Sequence, residues 1–165
     1  MFIQGKKITL RTIDENDLLM VMDWENNPEF RDITEHNGEL SREMVLNFIR
    51  NSDSLEEDQQ LRLIIHNETG IPIGALDLFD ADLMHRSCGI GILIAKPSDR
   101  GKGYGHDALS SLIRTLQTDR RLIHLRCLIH ESNEASKLLF LKNGFVAHGT
   151  KIFKGKKATQ YLLDI

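Results

Sequence analysis

The feature that most constrains the fold is an apolar run that leads through a glycine-rich loop into an amphipathic helix. Residues 88–95 read CGIGILIA, which has the length and the branched side chains of a buried strand. Residues 96–99 break this run, and residues 100–105 read RGKGYG. Apolar side chains then recur at helical spacing, at Ala108, Leu109, Leu112, Ile113 and Leu116. We therefore predict a buried strand, a loop and a helix in this order.

The glycine-rich loop has the properties of a phosphate-binding site. Glycines let the backbone approach an anion and direct several N–H groups toward it. The N-terminus of a helix adds partial positive charge, and Arg100 and Lys102 add whole charges. The spacing of Gly101, Gly103 and Gly105 is that of neither a Rossmann nor a Walker loop. On these residues alone, a phosphate site and an ordinary tight turn entering a helix both remain open.

Length and composition indicate an ordinary globular chain. Its 165 residues can bury a core without disulfides or metal, so we predict a single domain over residues 1–165. The hydrophobic share is 41% and the charged share 27%, and no apolar run approaches the roughly 20 residues of a membrane span. Residues 1–6 lack the apolar segment of a secretory signal. Cys88 and Cys127 lie in apolar runs, which indicates reduced thiols. We therefore predict a cytoplasmic protein with no membrane partner.

Charge is distributed unevenly along the chain, although the net charge is only −3. Residues 1–82 carry 18 acidic and 7 basic side chains, whereas residues 83–165 carry 6 acidic and 14 basic ones. This asymmetry suits a protein that receives a cation on one side and an anionic cofactor on the other, although merely solvated charged faces stay an alternative. The overall acidity argues against a nucleic-acid partner. The histidines and cysteines do not fall into ligand spacing, so we predict no metal.

The order of the other elements predicts the fold class. Residues 8–11 read as a strand, and two helices follow, one ending before Pro28 and one beginning after Ser41. Strands are predicted at residues 61–66 and 71–79, before the central strand and its helix, and at 122–129 after them. A helix at 133–143 and a hairpin of residues 145–153 and 158–165 complete the chain. We predict a mixed α+β (α/β) architecture: a central mixed, mostly antiparallel sheet of about seven strands with flanking helices.

Two motifs resemble the GCN5-related N-acetyltransferase (GNAT) family. Arg100, Gly103 and Gly105 look like the family's coenzyme A pyrophosphate loop. The segment NEASKLLFLKNGF of residues 133–145 is similar to the signature of the family's last helix. Its Asn-x-x-Ser form, with the segments WENNPE and HRS at residues 24–29 and 85–87, resembles the branch of ribosomal-protein alanine and spermidine acetyltransferases. The resemblance covers essentially the whole chain and implies the GNAT fold, with direct transfer of acetyl from acetyl-CoA to an amine.

The resemblance also implies roles for individual residues. The strands of residues 88–95 and 122–130 would splay apart, and the pantetheine of acetyl-CoA would fill the gap. Backbone groups of Ile92, Leu93 and Ile94 would bind the thioester carbonyl and the pantetheine amides, which makes Leu93 a catalytic candidate. Asn133 and Ser136, the other catalytic candidates, would contact the pantetheine or the thiol, although a helix cap is an equal alternative for this pair. The pyrophosphate would lie on Arg100, Gly101, Lys102, Gly103, Tyr104 and Gly105.

Two positions depart from the family pattern. Many relatives place a tyrosine seven residues after the helix asparagine, where it protonates the departing thiolate, but this chain has Phe140 there. Many relatives also carry a glutamate on the central strand, at the position of Gly89. Either the amine loses its proton through water and acidic residues elsewhere, or the protein binds CoA with little turnover.

The acceptor is predicted from the acidic segment near the first helix. Nine carboxylates lie between residues 14 and 39, against Arg31 as the one basic residue. In the GNAT fold the first two helices and their connection cover the acceptor mouth, so we predict that Glu25, Glu29, Asp32 and Glu35 line it. Such a mouth selects cations: a polyamine, a basic peptide N-terminus or an aminoglycoside-like amine. We predict an N-acetyltransferase for a polyamine-like small molecule, with a protein N-terminal acetyltransferase or a non-catalytic CoA-binding module as alternatives. A homo-oligomer is also left open.

Overall fold

A computed structural model describes residues 1–30 and 38–165 of the chain. Within these residues it contains nine strands and four α-helices. In chain order they are β1 (Phe2–Gln4), β2 (Thr9–Thr12), α1 (Leu18–Glu25), α2 (Arg42–Arg50), β3 (Asp53–Ser54), β4 (Gln60–His66), β5 (Pro72–Asp82), β6 (Ser87–Ile94), α3 (Tyr104–Asp119), β7 (His124–His130), α4 (Glu134–Lys142), β8 (Val146–Phe153) and β9 (Lys156–Asp164). None of the helices in these ranges is long and apolar enough to cross a membrane.

The strands form one sheet in the order β1-β2-β4-β5-β6-β7-β9-β8, with β3 beside β4. Every pair is antiparallel except β6–β7, which is parallel. The predicted mixed, mostly antiparallel sheet with flanking helices is therefore confirmed. The predicted number of seven strands was too low, because β1 and β3 have three and two residues and are too short to show an alternating pattern.

The helices cover both faces of the sheet. In β4, Leu63 and Ile65 belong to the core under α3, whereas Ile64 between them belongs to the core under α1 and α2. This alternation follows from the two-residue period of a strand. The apolar face predicted for α3 is buried at all five positions, so the sequence pattern identified its packing surface correctly.

The central strands β6 and β7 diverge after a short parallel contact. Their register joins Ser87 to His124, Cys88 to Leu125 and Gly89 to Arg126. Beyond these pairs, residues 90–93 of β6 and residues 127–130 of β7 line the same cavity. The splayed pair of strands that the resemblance implied is therefore present, and it divides the sheet in the middle.

Candidate active site

Two cavities meet where β6 and β7 diverge. The inner cavity has a volume of about 620 Å³ and is lined by residues of β6, β7, α1 and α2. The loop cavity, of about 490 Å³, lies beside the glycine-rich loop and α4. Both are lined by Phe30, Ile92, Leu93, Asn133 and Ser136. A molecule that lies along the loop cavity can therefore present one end to the inner cavity.

The loop between β6 and α3 has a glycine-dependent backbone that leads directly into the helix. Gly101 and Gly103 have φ values of +74° and +87°, which side chains disfavour. The first backbone bond of α3 runs from the N–H of Asp107 to the carbonyl of Gly103, at 3.0 Å. The N–H groups of residues 104–106 therefore precede the helical ladder, at the positive end of the helix dipole. This geometry is compatible with a bound phosphate, and the binding of one by this loop stays a prediction.

Five of the six residues predicted to hold the pyrophosphate line the loop cavity, namely Arg100, Gly101, Gly103, Tyr104 and Gly105. The sixth, Lys102, is not among the lining residues, and its Nζ lies 3.9 Å from a carboxylate oxygen of Asp99. The carbonyl of Lys102 accepts a 3.1 Å hydrogen bond from Lys7 Nζ. Lys7 thus reaches the loop from the β1–β2 turn, a tertiary contact that the sequence pattern did not show.

Arg100, one of the two basic residues of the loop, forms an ion pair with a carboxylate. Arg100 Nη1 lies 2.8 Å from Glu29 Oε1, and Arg100 Nε donates to the carbonyl of Ile94 at 3.1 Å. Glu29 lines the loop cavity, next to Phe30. Glu29, which the sequence placed at the acceptor mouth, therefore lies against the residue predicted to hold the pyrophosphate.

Tyr104 is held at the edge of the loop by Glu68 from the β4–β5 turn. The Tyr104 hydroxyl donates a 2.9 Å hydrogen bond to Glu68 Oε2. This bond is the main reason why the pKa of Tyr104 is raised above its ordinary value. Tyr104 therefore remains a hydrogen-bond donor at neutral pH and is unsuited to act as a base.

The backbone of β6 offers N–H groups to the gap between the strands. The N–H of Ala95 bonds to the carbonyl of Ile73 on the β5 side, at 2.9 Å. Because successive residues of a strand direct their N–H groups to opposite edges, those of Ile92 and Ile94 face the β7 side, and that of Leu93 faces β5. Ile92 and Ile94 are therefore the better placed donors, while Leu93 lines both cavities.

Asn133 and Ser136 lie together at the start of α4. The Asn133 side chain accepts a 3.1 Å hydrogen bond from the N–H of Ser136 and so caps the helix. Both residues also line both cavities. The capping role and a contact with the cofactor are compatible, because the cap brings both residues to the point where the cavities meet.

The two departures from the family pattern have different surroundings. A Cβ added at Gly89 would lie 2.3 Å from Cε2 of Phe79, so the ring of Phe79 occupies the space that a glutamate would need. Phe140 is 3% exposed, lines the inner cavity and meets the ring of Phe145 edge to face at 4.9 Å. The space near Gly89 is thus filled, whereas Phe140 borders open volume.

The inner cavity carries a buried ion-pair cluster that the sequence analysis missed. Arg62 Nη1 lies 2.5 Å from Glu25 Oε1, and the same guanidinium makes two bonds to Asp77, at 2.6 and 2.9 Å. Burial alone would lower the pKa of Arg62, but the charges and hydrogen bonds of Asp77 and Glu25 outweigh it and raise that pKa. The sequence did contain a signal, because Arg62 and Asp77 are single charges inside apolar strand runs.

Of the four carboxylates predicted at the acceptor mouth, Glu25 lines the inner cavity, although it is buried and paired with Arg62. Glu29 lines the loop cavity. Asp32 and Glu35 lie outside the described residues.

Cysteine chemistry is disfavoured in this site. Cys127 lines the inner cavity, but burial raises its pKa to about 12, and burial does the same for Cys88. A thiol with such a pKa stays protonated at neutral pH and is a poor nucleophile. Within residues 1–30 and 38–165, no group of three or more His, Cys, Asp or Glu side chains could hold a metal ion.

Comparisons with known proteins agree with this geometry. The model of the acetyltransferase (GNAT) domain family matches residues 7–146. The chain therefore belongs to the GNAT family of acetyl-CoA-dependent N-acetyltransferases. No curated protein has a sequence that matches it.

Solved structures share the fold at low sequence identity. The ribosomal L7/L12 alpha-N-protein acetyltransferase RimL in complex with coenzyme A has a TM-score of 0.86 and 16% identity, over 100% of this chain and 98% of that one. Spermidine N-acetyltransferase from Vibrio cholerae, in complex with CoA and spermine, has a TM-score of 0.84 and 18% identity, over 97% and 96%. The aminoglycoside acetyltransferase AAC(6')-Ib has a TM-score of 0.77 and 21% identity, over 95% and 94%. Enzymes with this fold thus differ in the amine that they accept.

Proposed function

We propose that this chain transfers the acetyl group of acetyl-CoA to a primary amine of a small, polyamine-like cation. The observation that carries the proposal is the wall of the inner cavity, which combines aromatic side chains with an excess of carboxylates beside the diverging strands. Its charged side chains in the described residues are Glu25, Arg62, Asp77 and Asp80. Glu25 and Asp77 share the guanidinium of Arg62, and the exposed Asp80 lies 3.5 Å from Arg126. The acidic side chains among these lining residues still outnumber the basic one, which favours a cationic ligand.

The cofactor would lie along the loop cavity and between β6 and β7. The N–H groups of the loop and of residues 104–106 would bind the pyrophosphate, and Arg100 would leave Glu29 to neutralise it. The pantetheine amides would form hydrogen bonds with β6 beyond Gly89, where β6 no longer pairs with β7. The acetyl carbonyl would then lie near the N–H groups of Ile92 and Ile94, and one such donor on a developing oxyanion is worth about 3 kcal/mol of barrier.

The reaction needs a neutral amine, because its nitrogen lone pair forms the new bond to the carbonyl carbon. The C–S bond of the thioester breaks, and the nitrogen loses one proton as it becomes an amide. The CoA thiolate leaves and takes up a proton, which is favourable because the thiol has a pKa of about 8.5. An alkylammonium has a pKa of about 10, so one proton must leave the nitrogen before attack. Holding both reactants in one cavity supplies much of the rate, since positioning alone lowers the barrier by several kcal/mol.

The acceptor class follows from the apolar part of the inner cavity. Aromatic rings line it on several sides, namely Trp24, Phe30, Phe48, Phe79, Phe140 and Phe153. Rings of this kind pack against methylene groups and attract an ammonium group to their faces. A polyamine alternates methylene segments with charged nitrogens, whereas an aminoglycoside presents hydroxyl groups that these walls would leave without partners.

The decisive experiment measures release of the CoA thiol from acetyl-CoA by the purified protein. The acceptors are spermidine, spermine, paromomycin and a short peptide with a free basic N-terminus. We expect turnover with spermidine or spermine at a kcat/KM at least tenfold above that with the other two. Faster turnover with the peptide would establish the protein N-terminal alternative. Tight binding of acetyl-CoA without turnover on the whole panel would refute the proposal and favour a CoA-binding module.

Several predictions from the sequence stay predictions. They are the single domain over residues 1–165, the cytoplasmic location and the absence of a nucleic-acid or membrane partner. A homo-oligomer stays open.

A further inference from the structure

The end of α4 is joined to the first turn of α3 by the side chain of Asn143. The last four carbonyls of an α-helix lack partners within the helix, and in α4 they belong to residues 139–142. Asn143 Nδ2 donates a 2.8 Å hydrogen bond to the carbonyl of Leu139, and it lies 3.1 Å from Nδ1 of His106. One amide group therefore connects the two helices that line the loop cavity.

The contact with Leu139 determines how the Asn143 amide is oriented. A backbone carbonyl only accepts hydrogen bonds, so the amide atom that faces it must be the nitrogen. In the reversed orientation two oxygens would lie 2.8 Å apart with no proton between them. The atom that faces His106 is the same Nδ2, which only donates.

The orientation of the amide in turn fixes the tautomer of His106. Because Nδ2 of Asn143 donates, Nδ1 of His106 must accept and carries no proton. The imidazole therefore holds its proton on Nε2. Within residues 1–30 and 38–165 this Nε2 makes no hydrogen bond, and it is not among the buried polar atoms that lack one. Its N–H is thus accessible to a ligand.

His106 lies where a phosphate group of CoA is expected. It is the third residue of α3, and it lines the loop cavity together with Gly103 and Gly105. Side chains of a helix lean toward its N-terminus, so the imidazole lies on the side of the backbone N–H groups of residues 104–106. The phosphate oxygens are the strongest hydrogen-bond acceptors of CoA, because they are charged.

We propose that His106 binds CoA by donating from Nε2 to a phosphate oxygen of the pyrophosphate, while Asn143 is a positioning residue that fixes the tautomer. The resemblance to the GNAT loop covered residues 100–105 and gave His106 no role. This inference rests on the proposed binding of acetyl-CoA along the loop cavity. It does not depend on which amine is the acceptor.

Long-range proton–nitrogen NMR of the wild-type protein tests the tautomer and the contact together. At about pH 8, where an ordinary histidine is neutral, we expect an unprotonated Nδ1 and a protonated Nε2 for His106. Saturation with CoA should shift the Nε2 signal, whereas pantetheine, which lacks the pyrophosphate, should leave it in place. A proton on Nδ1, an Nε2 signal that CoA does not move, or an equal shift with pantetheine would overturn the inference.

His106→Phe keeps an aromatic ring but removes both nitrogens. Hydrogen bonds to charged groups are stronger than neutral ones, so we expect CoA to bind about tenfold more weakly in a calorimetric titration. His148→Phe is the matched control, because His148 is exposed on β8 and lines neither of the two cavities. Its CoA affinity should stay within twofold of the wild-type value. Equal affinities in the two variants would overturn the inference.

Asn143→Asp tests the positioning role separately. The new carboxylate only accepts hydrogen bonds, so His106 should carry a proton on Nδ1 in this variant. The same NMR experiment measures this change, and an unprotonated Nδ1 in folded Asn143→Asp would reject the role of Asn143. If the variant does not fold, the wild-type spectrum still decides the tautomer.

The thiol-release assay separates this inference from the proposed function. Turnover together with an unchanged CoA affinity in His106→Phe would reject the role of His106 and leave the proposed function intact. Binding of CoA through His106 without turnover on any amine would reject the proposed function and keep the inference. A wild-type protein that does not bind CoA would overturn both.

Discussion

Phe140 is the single residue whose change is expected to raise activity. It occupies the position where many relatives carry a proton-donating tyrosine, and it borders the inner cavity. In Phe140→Tyr the new hydroxyl can reach this volume and donate a proton to the departing thiolate. General acids contribute up to about 10²–10⁴-fold, but a thiolate leaves readily, so we expect a kcat about tenfold higher. Thiol release with the amine that gives turnover measures this change.

Phe145→Tyr is the control for that substitution. Phe145 is 2% exposed and packs against Phe140, but it is absent from the lining of the inner cavity. It should therefore lose stability without any gain in kcat. An unchanged kcat in a folded Phe140→Tyr protein would show that the thiolate already receives its proton from another source.

At the scale of elements, the short turn after α1 is tied to the glycine-rich loop through Glu29 and Arg100. Their contact joins the segment before α2 to the segment before α3, at 2.8 Å. A phosphate that binds Arg100 must displace the Glu29 carboxylate. We expect Glu29→Gln to bind CoA about two- to fivefold more tightly, because an exposed ion pair is worth roughly 0.2–1 kcal/mol. Calorimetric titration with CoA measures the effect.

Glu39→Gln removes the same charge from an exposed residue shortly before α2. Its CoA affinity should change less than that of Glu29→Gln. Equal gains in both variants would mean that overall charge, and not release of Arg100, sets the affinity. A weaker affinity in Glu29→Gln would mean that the carboxylate holds the loop in its binding shape.

At the scale of the whole molecule, the pair of Arg11 and Asp17 links stability to pH. Arg11 of β2 makes hydrogen bonds of 2.7 and 2.6 Å to the carboxylate of Asp17, just before α1. Burial alone would raise the pKa of Asp17, but the bonds from Arg11 and from the backbone of Asp14 outweigh it, so the pKa is lowered. A carboxyl whose folded pKa is lowered stabilises the fold above its unfolded pKa, and this contribution is lost as pH falls through the folded value.

We therefore expect Asp17→Asn to lower the free energy of unfolding at pH 7 by about 1–3 kcal/mol. The difference from the wild-type protein should shrink as pH falls below about 4, because the carboxyl of the unfolded wild-type chain then takes up a proton while that of folded Asp17 resists it. Urea unfolding at pH 7 and pH 3 measures both values. Asp23→Asn, an exposed change on α1, should have little effect at either pH. A difference that is constant with pH would show that the lost contact is not ionic.

Much of the fold could be predicted from the sequence because its signals are local. The apolar run of β6, the glycines of the loop and the buried face of α3 each depend on residues that are close together in the chain. The same holds for the cap that Asn133 forms on α4. Patterns of this kind indicate backbone conformation and burial, and both depend on residues that are a few positions apart in the sequence.

The tertiary structure decided which distant charges meet. One buried ion-pair cluster joins Glu25 of α1 to Arg62 of β4 and Asp77 of β5. These ion pairs form because of the register of β4 with β5 and the packing of α1 across them. The sequence marked these residues as acidic or basic but could not pair them, so it counted Glu29 among the acceptor residues although Arg100 holds it. Charge and local pattern were determined by the sequence alone. The position of each charge was determined by long-range packing, because an ion pair forms between the groups that the folded chain brings within about 4 Å.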